Sequence, residues 1–314
     1  MIALLAPGQG SQTPGMLAPW LELPGAADRI AAWSQISGLD LAALGTTATA
    51  EEITDTAVTQ PLVVAATLLA NAELIKRGLA GGQERSDSGS FWAGKNTVVA
   101  GHSVGEIAAY AIAGVISADD AVKLAAVRGA EMAKACAVEP TGMSAVLGGD
   151  EAEVLARLEA LDLVPANRNA AGQIVAAGAI AALEKLAEDP PEKARVRQLA
   201  TAGAFHTHYM ASALDAYAAA VTTTQTSEPT TTLLSNADGQ PVSSAADAME
   251  KLVAQLTRPV RWDLCTQTMR GLNLTAIAEF PPAGTLVGIA KRELRGVPTH
   301  AIKAPADLDA LAEL

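Results

Sequence analysis

The chain has 314 residues, half of them hydrophobic and only 3% aromatic, with a formal net charge of −12. That length supports one large domain and a smaller one, each with a core made chiefly of Ala, Leu, Val and Ile. The acidic balance excludes a general binder of nucleic acid or of an anionic membrane surface, because such partners are held by clustered Lys and Arg.

Residues 1–5 carry no basic segment before their apolar stretch and run straight into Pro7-Gly8-Gln9-Gly10, which argues against a signal peptide. Residues 2–6 are expected to form a buried strand that ends in this glycine loop. An apolar stripe predicts a long helix over 62–77, and a polar stretch, Gly81 to Asn96, separates it from an apolar run that begins at Thr97. The longest apolar run is read as 107–116, too short to span a bilayer, so no membrane segment is expected. Cys136 and Cys265 stand far apart with no metal-ligand spacing, as in the reducing environment of the cytoplasm.

Residues 97–110 read TVVAGHSVGEIAAY. Thr97 to Ala100 reads as a short buried strand and Glu106 onward as a helix, so five residues make the whole reversal. A turn that sharp forces strain at its tip, and Gly101 and Gly105 remove the side chains that would keep strand and helix apart. Ser103 sits at the tip, facing the positive end of the following helix, as in a nucleophile elbow. An amphipathic helix is expected over 121–135, on which spacing alone makes Arg128 a surface arginine.

From 137 to 205 the rhythm changes. Strand 143–147, helix 151–161, strands 163–167 and 173–177, helix 180–188 and strand 196–201 give the order βαββαβ, the ferredoxin-like arrangement. The expected fold is therefore α/β: a larger α/β-hydrolase-like domain with a parallel sheet, formed by 1–136 and 206–314, and an inserted ferredoxin-like domain, 137–205. A Thr-rich linker over 222–232 and a buried strand near 274–280 complete the large domain.

A serine hydroxyl needs an adjacent base to act as a nucleophile, and histidine is the usual one. The chain has four histidines. His102 adjoins the serine and reads as structural, and His300 in VPTHAIK reads as solvated. His206 and His208 lie in TAGAFHTHYM, where the inserted domain hands the chain back to the larger one, and either could reach a cleft there.

Seven segments in order then resemble the malonyl-CoA:acyl-carrier-protein transacylase family of fatty-acid and polyketide synthesis. They are PGQGSQ at 7–12, TQPLV at 59–63, GHSVGE at 101–106, VRG at 127–129, ANRN with GQIVAAG within 166–178, GAFHTHYM at 203–210 and QLTRPVRW at 255–262. The resemblance implies Ser103 as nucleophile, His206 as its base, the backbone N–H groups of Gln9 and Val104 as oxyanion hole, and the carbonyl of Gln255 as the group orienting His206. It makes Arg128 the two-pronged holder of the substrate's free carboxylate, with Asn167 close to the substrate. Phe205, one position before the histidine, goes with malonyl where a serine would go with methylmalonyl.

The implied reaction is ping-pong transfer of malonyl from coenzyme A, a substrate rather than a cofactor, to the phosphopantetheine thiol of an acyl carrier protein by a monomeric enzyme. No metal or redox cofactor is required. Two basic groups are candidates for meeting an acidic carrier: Lys193, Arg195 and Arg197 on the small domain, and Lys291, Arg292 and Arg295 near the C-terminus. The chain departs from the family at EFPPAG, 279–284, where Pro281 and Ala283 replace usual glycines, and in the length of 81–96. A thioesterase or other serine hydrolase on the same elbow remains an alternative, though it gives no reason for Arg128. A non-catalytic carrier-protein scaffold is a third reading.

Overall fold

The computed structural model describes residues 1–77 and 95–311, so the 81–96 stretch falls, up to residue 94, outside the described residues. Strands β1 (Ile2–Ala6), β2 (Thr97–Gly101), β7 (Thr232–Leu234), β8 (Ala276–Glu279) and β9 (Thr299–Ala301) share one sheet; between β2 and β7 the chain forms β3 (Thr141–Gly148), β4 (Val164–Ala170), β5 (Gln173–Ala179) and β6 (Ala194–Gln198). The first sheet is parallel throughout, in the order β7-β2-β1-β8-β9. Its three central strands, β2, β1 and β8, are almost wholly buried, as strands covered on both faces require.

The second sheet is antiparallel, in the order β4-β5-β3-β6, with helices Glu151–Ala160 and Ile180–Glu188 on one face only. Alternation along β3 sorts its side chains: Val146 faces those helices with Ile174, Val154, Leu158, Leu183 and Leu186, while Met143 and Ala145 face the other way. On that second face Met143, Ala145 and Val175 line a cleft between the two sheets. Val260, packed in the core with Leu5 and Val98 of the first sheet, binds β4 of the second, its carbonyl accepting from Arg168 N and its N–H donating to Ala166 O, each at 2.9 Å.

Several boundaries differ from expectation. The helix expected from residue 62 begins at Thr56, because Asp55 caps it by accepting the Ala57 N–H at 2.8 Å and Pro61 is accommodated inside it. By length and composition this helix, Thr56–Lys76, is apolar enough to cross a membrane, which corrects the reading of 107–116 as the longest apolar segment. Fifteen of its residues, Thr56 and Leu74 among them, are buried inside the protein as a core helix. His300, expected in solvent, lies half-buried on β9, and its Nε2 has no partner among the described residues.

At the elbow, β1, β2 and helix Gly105–Ile112 converge. A Cβ on Gly101 would lie 2.1 Å from the Gly105 carbonyl, and one on Gly105 would lie 2.3 Å from the Ala6 carbonyl oxygen. Only glycine permits that approach.

Candidate active site

Ser103 takes a left-handed backbone conformation, φ 53°, at the tip of the elbow. Two bonds hold it there: its N–H donates to Asn236 Oδ1 at 2.8 Å, and Asn236 Nδ2 donates to Gly101 O at 2.7 Å. The side chain meets His206, with 2.7 Å between Oγ and Nε2. On the far side of the ring, Nδ1 lies 2.8 Å from the backbone carbonyl of Gln255. A carbonyl only accepts, so Nδ1 carries the proton and Nε2 presents its lone pair to the serine hydroxyl.

Burial, followed by the positive charge of Arg128, pushes His206 down to about 3, against the opposing effect of the Gln255 bond. The imidazole is therefore neutral at working pH, the form a general base needs. The backbone N–H groups of Gln9 and Val104 have no hydrogen-bond partner among the described residues. His102 turns elsewhere, its Nε2 lying 2.9 Å from Asn169 Oδ1 and its ring edge-on to Trp262. His208 is exposed and lies against Tyr209.

Arg128 is 1% exposed, against the surface position that helix periodicity suggests. Its Nη1 donates to Gln60 Oε1 and its Nη2 to Gln255 Oε1, both at 2.8 Å. Gln9, Ser103, Arg128, Asn167, Phe205 and His206 all line one cleft of about 510 Å³, with Gln255 and Val104 directly behind them. Facing the cleft from the other side is the start of helix Thr285–Glu293, through Thr285, Leu286 and Ile289. The EFPPAG departure leaves this start intact: the Glu279 carboxylate accepts the N–H groups of Gly284, Leu286 and Val287 at 2.9 to 3.1 Å.

Three of the basic candidates can be tied to elements that line the cleft. Arg197 and Arg195 pair across β3 with Ala145 and Leu147, on the sheet face that lines the cleft. Arg292 bonds Gln173, itself a cleft residue, and Lys291 and Arg295 are exposed beside it. Lys193 is paired with Glu192 at 3.3 Å.

Four buried groups of this site carry no local signal that would single them out. Gln60 and the side chain of Gln255 hold Arg128, Asn236 pins the elbow, and Glu106 accepts from the Asn236 N–H at 2.7 Å and from Gln255 Nε2. Burial pushes Glu106 up to about 7, with the bonds from Asn236 and Gln255 and the Arg128 charge opposing that rise.

Residues 4–305 match the acyl transferase domain family. A malonyl CoA-acyl carrier protein transacylase of Mycolicibacterium smegmatis is 80% identical over 303 residues, which cover 95% of this chain and 100% of that protein. The chain belongs to the malonyl CoA-acyl carrier protein transacylase family. Among solved transacylase structures, that of Mycobacterium tuberculosis is 73% identical with a TM-score of 0.93 over 99% of both chains. Another, a malonyl-transacylase in complex with a type II PKS acyl-carrier protein, shares 28% identity and a TM-score of 0.88 over 99% of both chains. The fold shared with these transacylases is the large parallel α/β unit with its small antiparallel sheet.

Proposed function

We propose that this chain transfers a malonyl group from coenzyme A to the phosphopantetheine thiol of an acyl carrier protein, with Ser103 as the carrier of the acyl group in between. The observation that carries the reading is the line Ser103, His206 and Gln255 carbonyl beside a buried Arg128, all on one cleft. His206 Nε2 takes the serine proton as Oγ attacks the thioester carbonyl, and the developing oxyanion meets the free N–H groups of Gln9 and Val104. The imidazolium then gives that proton to the departing coenzyme A thiolate as the C–S bond breaks. In the second half the carrier's thiol gives its proton to His206 and attacks the acyl-serine ester, and as the bond to Ser103 Oγ breaks the imidazolium returns that proton to the serine oxygen. General-base help is worth roughly 10² to 10⁴ in rate and one oxyanion donor about 10² to 10³.

Arg128 receives the malonyl carboxylate, a pairing in which a planar guanidinium excels. That carboxylate also offsets the positive charge that depresses His206, so the base strengthens when an acidic acyl group is in place. Asn167 and Phe205 shape the acyl pocket, and Phe205 favours malonyl over the bulkier methylmalonyl. A hydrolase triad would put a carboxylate at His206 Nδ1, where a backbone carbonyl stands. The reaction draws on no metal or redox cofactor, and the two cysteines stay free thiols, as a cytoplasmic enzyme allows.

In the same reading residues 137–205 form a lobe over the cleft and 1–136 with 206–314 the catalytic body, acting as a monomer. The carrier docks beside the cleft through exposed cations, the candidates being Lys193, Arg195, Arg197, Lys291, Arg292 and Arg295. The test is intact-protein mass spectrometry after brief mixing with malonyl-CoA, acetyl-CoA or methylmalonyl-CoA. A malonyl adduct on the natural chain, absent in Ser103→Ala and giving way to acetyl in Arg128→Ala, is the expected result. Free malonate released without a carrier would instead mark a hydrolase, and no adduct with no malonate a silent scaffold.

A further inference from the structure

Glu106 is 1% exposed and has no part in the acyl-transfer steps. Both of its oxygens are nevertheless engaged: Oε1 accepts the Asn236 N–H at 2.7 Å, and Oε2 accepts from Gln255 Nε2. The other end of that amide, Gln255 Oε1, accepts from Arg128 Nη2 at 2.8 Å. A primary amide between a carboxylate and a guanidinium has one satisfactory orientation, with NH2 toward the carboxylate and oxygen toward the guanidinium. Reversed, it would set oxygen against oxygen and donor against donor.

Arg128 needs that orientation. It makes no ion pair within 4.0 Å among the described residues, and its other terminal nitrogen rests on a second amide, Gln60 Oε1. Its Nε is buried without a partner. A cation held only by two amide oxygens keeps charge to offer an incoming carboxylate, which an arginine paired directly with Glu106 would lack. The Gln255 amide thus separates Glu106 from Arg128 and still ties one to the other.

We propose that Glu106 is a positioning residue for substrate selection: through the Gln255 amide it holds the Arg128 guanidinium where a carboxylated acyl group is received. The proposal rests on the transacylase reading. A purely structural Glu106 would act only through Asn236 and the elbow, slowing every acyl donor alike. A selecting Glu106 changes the preference between donors.

The experiment compares initial rates of Ser103 acylation by malonyl-CoA and by acetyl-CoA, followed by intact-protein mass spectrometry. It uses the natural chain, Glu106→Gln, Gln255→Met and Arg128→Ala. In Glu106→Gln the new NH2 opposes Gln255 Nε2, so the amide turns and Arg128 loses an acceptor; the malonyl-to-acetyl ratio falls about tenfold, the size of one lost hydrogen bond to a charged group. Gln255→Met removes the amide while keeping the backbone carbonyl for His206, and lowers the ratio likewise. Circular dichroism establishes which variants fold, and if Glu106→Gln does not, Gln255→Met decides. Equal slowing of both donors in a folded variant, with the ratio unchanged, overturns the proposal, as does an unchanged ratio in Arg128→Ala. No malonyl labelling of the natural chain would instead overturn the transacylase reading itself.

Discussion

Ser103 and His206 both hold left-handed backbone conformations, φ 53° and 59°, and their side chains meet at 2.7 Å. Each carries a Cβ in a region that disfavours one. Both are held from outside, Ser103 by Asn236 and His206 by the Gln255 carbonyl. Strain at these two residues is thus sustained by partners far along the chain.

That strain is measurable at Ser103. Ser103→Ala and Ser103→Gly both lose the hydroxyl, so their difference isolates the backbone. Ser103→Gly should be the more stable by about 1 kcal/mol, since glycine escapes the left-handed penalty. Urea unfolding of the two variants checks this, and equal midpoints would place the cost elsewhere.

Gly105 makes a steeper prediction. A Cβ there would lie 2.3 Å from Ala6 O and 2.5 Å from Pro7 O, both backbone atoms that cannot swing aside. Gly105→Ala should lower stability by about 3 kcal/mol. By moving the elbow against His206 it should also slow Ser103 acylation roughly 10²-fold. Wild-type stability and rate would mean that the helix start yields freely.

These two positions also mark what the chain reveals locally. The elbow is legible because its steric demand is met by two glycines within five residues, and the βαββαβ order because each small strand and helix has its own period. Arg128 misleads, since helix periodicity puts it on the surface while Gln60 and Gln255, 68 and 127 residues away, supply the oxygens that let it be buried. Glu106 lies inside the GHSVGE motif, yet its partners Asn236 and Gln255 are 130 and 149 residues distant. Periodicity reports which face is apolar and is silent about which buried polar groups will find one another. Helix Thr56–Lys76 reads as starting at 62 for a related reason: the apolar stripe marks 62 onward, whereas the Asp55 cap that starts the helix lies among polar residues before it.

The depressed His206 gives a pH prediction. In the unfolded chain the imidazole titrates near 6.5, and in the native protein it is pushed down to about 3. Between those values the unfolded chain binds a proton that the native protein does not, so a contribution fully present above 6.5 is lost as pH falls toward 3. Glu106, raised from 4.5 to about 7, works in the opposite sense, its native form holding a proton between those values. The difference between the natural chain and His206→Ala removes the Glu106 contribution common to both. That difference should shrink by up to about 1.4 kcal/mol per pH unit between pH 6 and 4. Denaturant unfolding at pH 4, 5 and 6 tests it, and a flat difference would mean an imidazole of ordinary basicity.

Under the proposed carrier docking, charge on the small sheet beside the cleft is expected to affect the second half-reaction alone. Arg195 and Arg197 are exposed on β6 with side chains on the cleft face of the small sheet, away from Ser103, His206 and Arg128. A chain with net charge −12 repels an acidic carrier at long range, so local cations must overcome that repulsion at contact. Reversing both, as Arg195→Glu with Arg197→Glu, should raise the KM for the carrier about tenfold at low salt while leaving Ser103 acylation by malonyl-CoA unchanged. Because the Debye length shrinks to about 8 Å at physiological ionic strength, the defect should narrow as salt is added. Steady-state transfer assays at two salt concentrations, beside single-turnover acylation without carrier, separate the two halves. Equal losses in both would mean that these arginines serve the coenzyme A substrate or the fold, and the carrier would then have to approach over the helix whose last turn carries Lys291 and Arg292.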